Sequence, residues 1–440
     1  MSEELDRIPI GKVRRAGKFI TTGAKVGGNY AKHYAKAMIN GSVDQEELDK
    51  DNAKDIYSSL SELKGSALKM AQLLSMDQNV LPKAYSDKFT MAQYSAPPLS
   101  YPLVKKTIMS NLGNYPNEIF DSFSSKASNA ASMGQVHKAK LNGEEVAVKV
   151  QYPGVGDSIK SDLKLAKPFA LSLMKVSAKD IDPYLKEVEE KLLEEADYEL
   201  ELKQSLEFAK LCKNVPNVEF PQYLPQHSGK QVLTMTWLSG VPLGEWMKSE
   251  HSLEARQLIG QTLWDFYMYQ IHHLKMMNAD PHPGNYIINE SNRLGVIDFG
   301  CVKHVPSDFY EPYFKLAKHE VLDDEKQVRE LFQELEIILP SDSEKEEKLV
   351  TNMFVDLIRL VARPINYDEF DFSDNAFFEE IYQMGEIISK DPELKKLQAR
   401  GSRHFIYFNR TFFGLYNILN NLKVKIKTNK SSFLKLTEQY

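Results

Sequence analysis

The chain has 440 residues, 42% of them hydrophobic and 26% charged, which is enough apolar material for large cores and a length that suggests about two to three domains. A net charge of −6 without a dominant basic block excludes nucleic acid as the default partner. Two cysteines, Cys212 and Cys301, exclude a disulfide framework or a zinc cluster. The N-terminal residues lack the apolar run of a secretory leader, and no stretch of 18 apolar residues predicts a membrane-spanning helix. The chain therefore reads as cytoplasmic, with any membrane contact peripheral and at the inner face.

Residues 1–40 are basic, with eight Lys and Arg against three acidic residues. Gly23, Gly27 and Gly28 weaken a single long helix there, so the segment reads as a solvated arm. A sharper reading is an arm that touches anionic lipid headgroups. Residues 44–76 read as helical, with Asp51 as a second start and Leu60, Leu63, Ala67, Met70 and Leu74 forming a core stripe. Lys69 and Gln72 fall on a flank of that stripe, a position that is ordinarily solvent-facing. A loop at Ala96-Pro97-Pro98 precedes a helix over 101–112.

From Phe120 the pattern turns to strands. Gln135–Leu141 and Val146–Gln151 are joined by Asn142-Gly143, a strong hairpin signal. Residues 157–212 return to helix, and Gln231–Leu238 is a further strand. The rest is helical except for a hairpin-like patch at Tyr286–Ile297. Strands followed by helices predict an α+β, two-lobed molecule. Its expected divisions are 1–117 (basic arm and helical extension), 118–238 (smaller lobe) and 239–440 (helical lobe).

The chemistry is carried by N-A-D-P-H-P-G-N-Y-I-I-N followed by V-I-D-F-G. Asp280 and Asn285 stand five residues apart, and Asp298 lies 18 beyond Asp280. Phosphoryl transfer needs one carboxylate to orient or deprotonate the attacking hydroxyl, and two further oxygen ligands to hold Mg²⁺ on the phosphates. Asp280 takes the first role, Asn285 and Asp298 the second. Asn278 stands where protein kinases carry the histidine of H-R-D, and His282 stands where they usually carry lysine.

Upstream, Val146-Ala147-Val148-Lys149 resembles the kinase lysine strand, with Lys149 on the α- and β-phosphates. The register of a phosphate loop lands on Asn129, Ala131, Gly134 and Val136, so only its third glycine is present. Ala130, Ala131 and Ser132 fill the rest. An alanine there keeps the backbone further from phosphate than glycine does. Lys149 needs a carboxylate partner, and the run L-L-E-E-A-D-Y-E-L-E offers Glu194, Glu195, Asp197, Glu199 and Glu201 without choosing among them. No A-P-E motif follows Asp298-Phe299-Gly300, which argues against peptide docking.

These motifs together resemble the UbiB/AarF/ADCK family of atypical kinase-like proteins over nearly the whole chain. A-A-S-M-G-Q-V-H at 130–137, V-A-V-K-V-Q-Y-P-G-V at 146–155, E-A-D-Y-E-L-E at 195–201 and R-T-F-F-G-L-Y at 410–416 carry the resemblance. It implies a bilobal protein-kinase-like fold with a helical N-terminal extension packed over the active site. It also implies that Glu195 pairs with Lys149. Lys69-Met70-Ala71-Gln72 resembles the family's K-x-G-Q motif, so Lys69 and Gln72 gate the nucleotide site and Glu201 bonds to them. Ala71 departs from the family's glycine, Asn129 from its first alanine, and Thr236 from its hinge glutamate.

The resemblance implies an ATP-dependent atypical kinase or ATPase that uses Mg²⁺ or Mn²⁺ and supports isoprenoid quinone (ubiquinone-type) biosynthesis or lipid homeostasis. Its implied partners are ATP, a lipid or quinone precursor, quinone-biosynthesis enzymes and a membrane surface. Two other functions compete: a small-molecule phosphotransferase of the aminoglycoside or choline kinase type, and a nucleotide-gated lipid-binding or scaffolding pseudokinase.

Overall fold

A computed structural model of the protein describes residues 12–40, 44–63, 67, 69, 84–85, 88, 99–130, 133–174, 178–397 and 400–428. The chain divides into two compact units, one of residues 1–203 and 222–237, the other of residues 204–221 and 238–440.

The first unit opens with helix α1 (Lys12–Asn40), which packs on α2 (Gln45–Leu63). Here the structure departs from the expected solvated arm, because α1 runs unbroken through all three glycines for 29 residues. Long-range contacts outweigh the local glycine penalty. Arg15, 3% exposed, donates through Nε to Asp162 Oδ1 at 2.8 Å and through Nη1 to the Leu63 carbonyl at 2.8 Å. Lys18, Lys32 and Lys36 lie against Glu62, Asp51 and Glu47 of α2, so this part of the basic stretch faces carboxylates within the chain. Asp51 does not start a second helix; α2 continues through it. The loop expected at Ala96-Pro97-Pro98 lies outside the described residues.

Next come α3 (Tyr101–Leu112), α4 (Pro116–Ile119), β1 (Ser122–Phe123), β2 (Asn129–Ala130), β3 (Gly134–Leu141) and β4 (Glu144–Gln151). Asn142 and Gly143 both have positive φ, 52° and 84°, the requirement of the tight turn that joins β3 to β4. Helices α5 (Val155–Met174), α6 (Ala178–Glu195) and α7 (Tyr198–Leu211) follow. The chain continues through β5 (Val218–Glu219) and returns to this unit as β6 (Val232–Thr236). The sheet has the order β1-β3-β4-β6 with β2 on β3, and every pairing is antiparallel. Its inner face buries Val146, Val148 and Val150 against Ile108, Ile159 and Leu192.

In the second unit, β7 (Val241–Pro242) and α8 (Leu243–Trp246) lead into α9 (Leu253–Tyr269). Ser252 caps α9 by accepting from the Ala255 N–H at 3.2 Å. The helix buries Ile259, Leu263, Trp264, Phe266 and Tyr267. It passes through a wider π turn (Gln270–Leu274) and ends at Lys275, which takes the left-handed conformation. Short strands follow: β8 (Met276–Asn278), β9 (Tyr286–Ile288), β10 (Leu294–Val296) and β11 (Val302–His304). β9 and β10 form the expected hairpin, β5 joins β10 in parallel, and β11 pairs with β8. The remainder is α10 (Ser307–Leu316), α11 (Glu325–Glu334), α12 (Glu344–Val361), β12 (Glu369–Asp371), α13 (Asn375–Lys390), α14 (His404–Leu422) and β13 (Lys425–Lys427). The aromatic stripe of α14 buries Phe408, Phe412 and Tyr416. Among the described residues no helix is long and apolar enough to cross a membrane.

Candidate active site

The residues expected to form one site fall in both units. In the first, Lys149 sits on β4, in register with Val136 of β3 and Leu233 of β6, and is 9% exposed. Its Nζ reaches both carboxylate oxygens of Glu201, at 2.7 and 2.9 Å, and lies 5.1 Å from the centre of the Tyr198 ring. Glu201 is 1% exposed. This corrects the pairing implied by the resemblance, which gave Glu195 to Lys149. Glu195 instead holds Lys69, whose Nζ is 2.9 Å from its Oε1.

The exchange has a geometric cause. Helix α6 ends at Glu195 and α7 begins at Tyr198, and the break between them resets the helical phase. Gln151 anchors the break by donating to the Ala196 carbonyl at 2.7 Å. Asp197 then caps α7, accepting from the Leu200 N–H at 3.0 Å. The two glutamates therefore leave different helices. Lys69 is 8% exposed, so it is not the solvent-facing lysine that its spacing alone suggests. Gln72 lies outside the described residues.

Asn129 and Ala130 form β2, opposite Val136 and Gln135 of β3. Ala131 and Ser132 lie outside the described residues. Gly134 is fixed by space. A Cβ there would stand 2.6 Å from the Tyr198 hydroxyl and 2.6 Å from the Val150 carbonyl oxygen. A buried chain of polar groups supports this strand. Gln135 Oε1 accepts from the Leu99 N–H at 2.7 Å, its Nε2 lies 2.8 Å from His137 Nε2, and His137 Nδ1 lies 2.8 Å from the Ser124 carbonyl.

In the second unit Asp280, Asn285 and Asp298 are tied together by their backbones. Asn285 donates from Nδ2 to the Asp280 carbonyl at 2.9 Å, and its own carbonyl accepts from the Ile297 N–H at 3.0 Å. Asp298 Oδ1 accepts from the Gly300 N–H at 2.8 Å. Asn278 couples the two loops: it donates to the Asp298 carbonyl at 2.9 Å and accepts from the Asp280 N–H at 3.2 Å. Asn278 is 1% exposed, and its own N–H is held by Gln270 of the π turn at 2.8 Å. In sequence it registers only as a departure from the kinase histidine; here it locks the loop of Asp280 to the loop of Asp298.

The donor set fits a hard divalent cation. Commitment of Asn285 Nδ2 to the Asp280 carbonyl turns Oδ1 the other way, and Asp298 contributes a carboxylate, so both offer oxygen. Beneath the loop the Tyr267 and Tyr286 hydroxyls meet at 2.8 Å. Burial pushes both phenols above their ordinary pKa, and the nearby Asp280 carboxylate adds to this.

Two residues of α14 complete this half. Arg410 Nη2 is 2.5 Å from Asp280 Oδ1. Four residues on, and so on the same face, Gly414 leaves room for Pro281, because a Cβ there would stand 2.4 Å from the ring's Cγ. The R-x-x-x-G spacing at 410–414 was the signal available for both, but it names no partner. Alanine ordinarily stabilises a helix by about 1 kcal/mol over glycine. Gly414→Ala should reverse that sign, with a loss of about 1–3 kcal/mol in chemical denaturation, because the proline ring cannot yield without moving the loop.

A hairpin carrying a buried lysine, and a separate helical unit carrying D-x-x-x-x-N and D-F-G, define the bilobal α+β fold of protein-kinase-like enzymes. Residues 91–332 match the family described as "ABC1 atypical kinase-like domain". The chain belongs to this family of atypical kinases, the one to which the UbiB/AarF/ADCK resemblance pointed. It is 28% identical over 384 residues to "Atypical kinase COQ8, mitochondrial" of Saccharomyces cerevisiae, covering 85% of this chain and 75% of that protein. It is 25% identical to "Atypical kinase COQ8B, mitochondrial" of Danio rerio, covering 99% of this chain and 70% of that protein. A similar solved structure is the complex of Rv3197 with erythromycin from Mycobacterium tuberculosis, with a TM-score of 0.59, 26% identity, and coverage of 89% of this chain and 96% of that one.

Proposed function

We propose that the chain binds Mg²⁺-ATP and uses it in isoprenoid quinone or lipid metabolism, as an atypical kinase or ATPase whose acceptor is not a protein. The observation that carries the reading is the coupling of Asp280, Asn285 and Asp298 through Asn278. Lys149, held by Glu201, receives the α- and β-phosphates. Asn285 and Asp298 hold the cation, which when bound would neutralise phosphate charge. Asp280 orients the attacking water or hydroxyl. Lys69, anchored on Glu195, and Gln72 gate the nucleotide.

The quinone assignment rests on the resemblance and on similarity to proteins named COQ8. Contact with the membrane is peripheral in this reading, and quinone-biosynthesis enzymes are its partners. The test is Mg²⁺-ATP turnover by the full chain with and without anionic liposomes, repeated with Mn²⁺. Turnover that depends on the divalent cation and is lost in Asp298→Asn supports the assignment. Unchanged nucleotide binding and turnover in Asp298→Asn sinks it.

A further inference from the structure

Protein kinases usually place a lysine two residues after the catalytic aspartate. Here that residue is His282, and it is turned into its own loop. Its Nδ1 accepts the Gly284 N–H at 3.0 Å. A Cβ on Gly284 would stand 2.9 Å from the same nitrogen, so the glycine is what lets the ring seat there. The ring nitrogen is thus engaged by the backbone of its own loop.

A cation comes from elsewhere in the unit. Arg410, on α14, reaches Asp280 Oδ1 with Nη2 at 2.5 Å across 130 positions of sequence. The two side chains are only 13% and 20% exposed, so salt screens the pair weakly. The other carboxylate oxygen, Oδ2, is 3.5 Å from Asn285 Nδ2. Gly414, packed on Pro281, keeps α14 close enough for Arg410 to reach. The carboxylate is thus held at one oxygen by one N–H of a planar, permanently charged guanidinium.

We infer that Arg410 is the positioning residue of the catalytic aspartate, supplied by α14 in place of the loop lysine. It sets the orientation in which Asp280 meets the attacking hydroxyl or water. This role rests on the reading of Asp280 given under Proposed function.

The test uses the full-length protein, with Mg²⁺-ATP turnover, nucleotide binding and thermal unfolding measured for each variant. Arg410→Gln should lower kcat about 100-fold, the scale of a misplaced catalytic group, and leave nucleotide affinity unchanged, with the protein still folded at the assay temperature. Arg410→Lys should recover part of kcat, and methylguanidinium should restore part of it to Arg410→Ala. In an Asp280→Asn background, Arg410→Gln should cost nothing further. An unchanged kcat in Arg410→Gln overturns the role. So does a loss of kcat that comes with a matching loss of nucleotide binding and of the folded state, without rescue by lysine or guanidinium. Full turnover in Asp280→Asn itself removes the underlying reading of the site, and the role of Arg410 with it. Normal dependence on Asp280 with indifference to Arg410 removes the second alone.

Discussion

Glu201→Ala should destabilise the first unit by about 3–5 kcal/mol, the cost of leaving a buried charge without its partner. Lys149 is 9% exposed and bonds both oxygens of a carboxylate that is 1% exposed. Removing the carboxylate takes from the ammonium the group that meets it with both oxygens, a loss the Tyr198 ring face offsets only in part. Lys149→Met should cost a similar amount, and it should also abolish nucleotide binding. Combining Lys149→Met with Glu201→Leu should cost less stability than either single change, because no charge is then left buried. Denaturation midpoints of the three variants, with binding of a fluorescent nucleotide, check this. A double variant as unstable as the sum of the singles would show that packing, not charge, dominates at this position.

The second large effect is on rate. Asp280→Asn should lower Mg²⁺-ATP turnover by about 10²–10⁴-fold, the contribution typical of a positioned acid or base, while nucleotide still binds. The asparagine keeps the shape of the loop, since the carbonyl that holds Asn285 belongs to the backbone and the turn at His282 and Gly284 is untouched. Steady-state kinetics with a separate binding titration distinguish lost chemistry from lost affinity. A fall in affinity that accounts for the whole loss would remove Asp280 from the chemical step.

What could be read in advance follows the range of the forces involved. The β3–β4 hairpin was legible because Asn142-Gly143 encodes its own positive φ angles. The nearness of Asp280 and Asn285 was legible because it is held by neighbours in sequence, through the Asn285 bond to the Asp280 carbonyl. α1 was not, because the glycines argue locally against it and the bonds from Arg15 to Asp162 that hold it lie 147 positions apart. The partner of Lys149 was not, because Glu195 and Glu201 sit on opposite sides of a helix break whose angle is a tertiary property. Arg410 was visible as part of a motif, but nothing in the chain states which carboxylate a side chain 130 positions away will meet.

The two ion pairs Lys149–Glu201 and Lys69–Glu195 bring together two positive and two negative side chains. The four cancel. A triphosphate brought to Lys149 would thus meet no surplus of positive charge from this set, unlike an anion entering a bare cationic cleft. Part of its neutralisation would have to travel with it as bound metal, so nucleotide and divalent cation should enter as one complex and not as separate ligands.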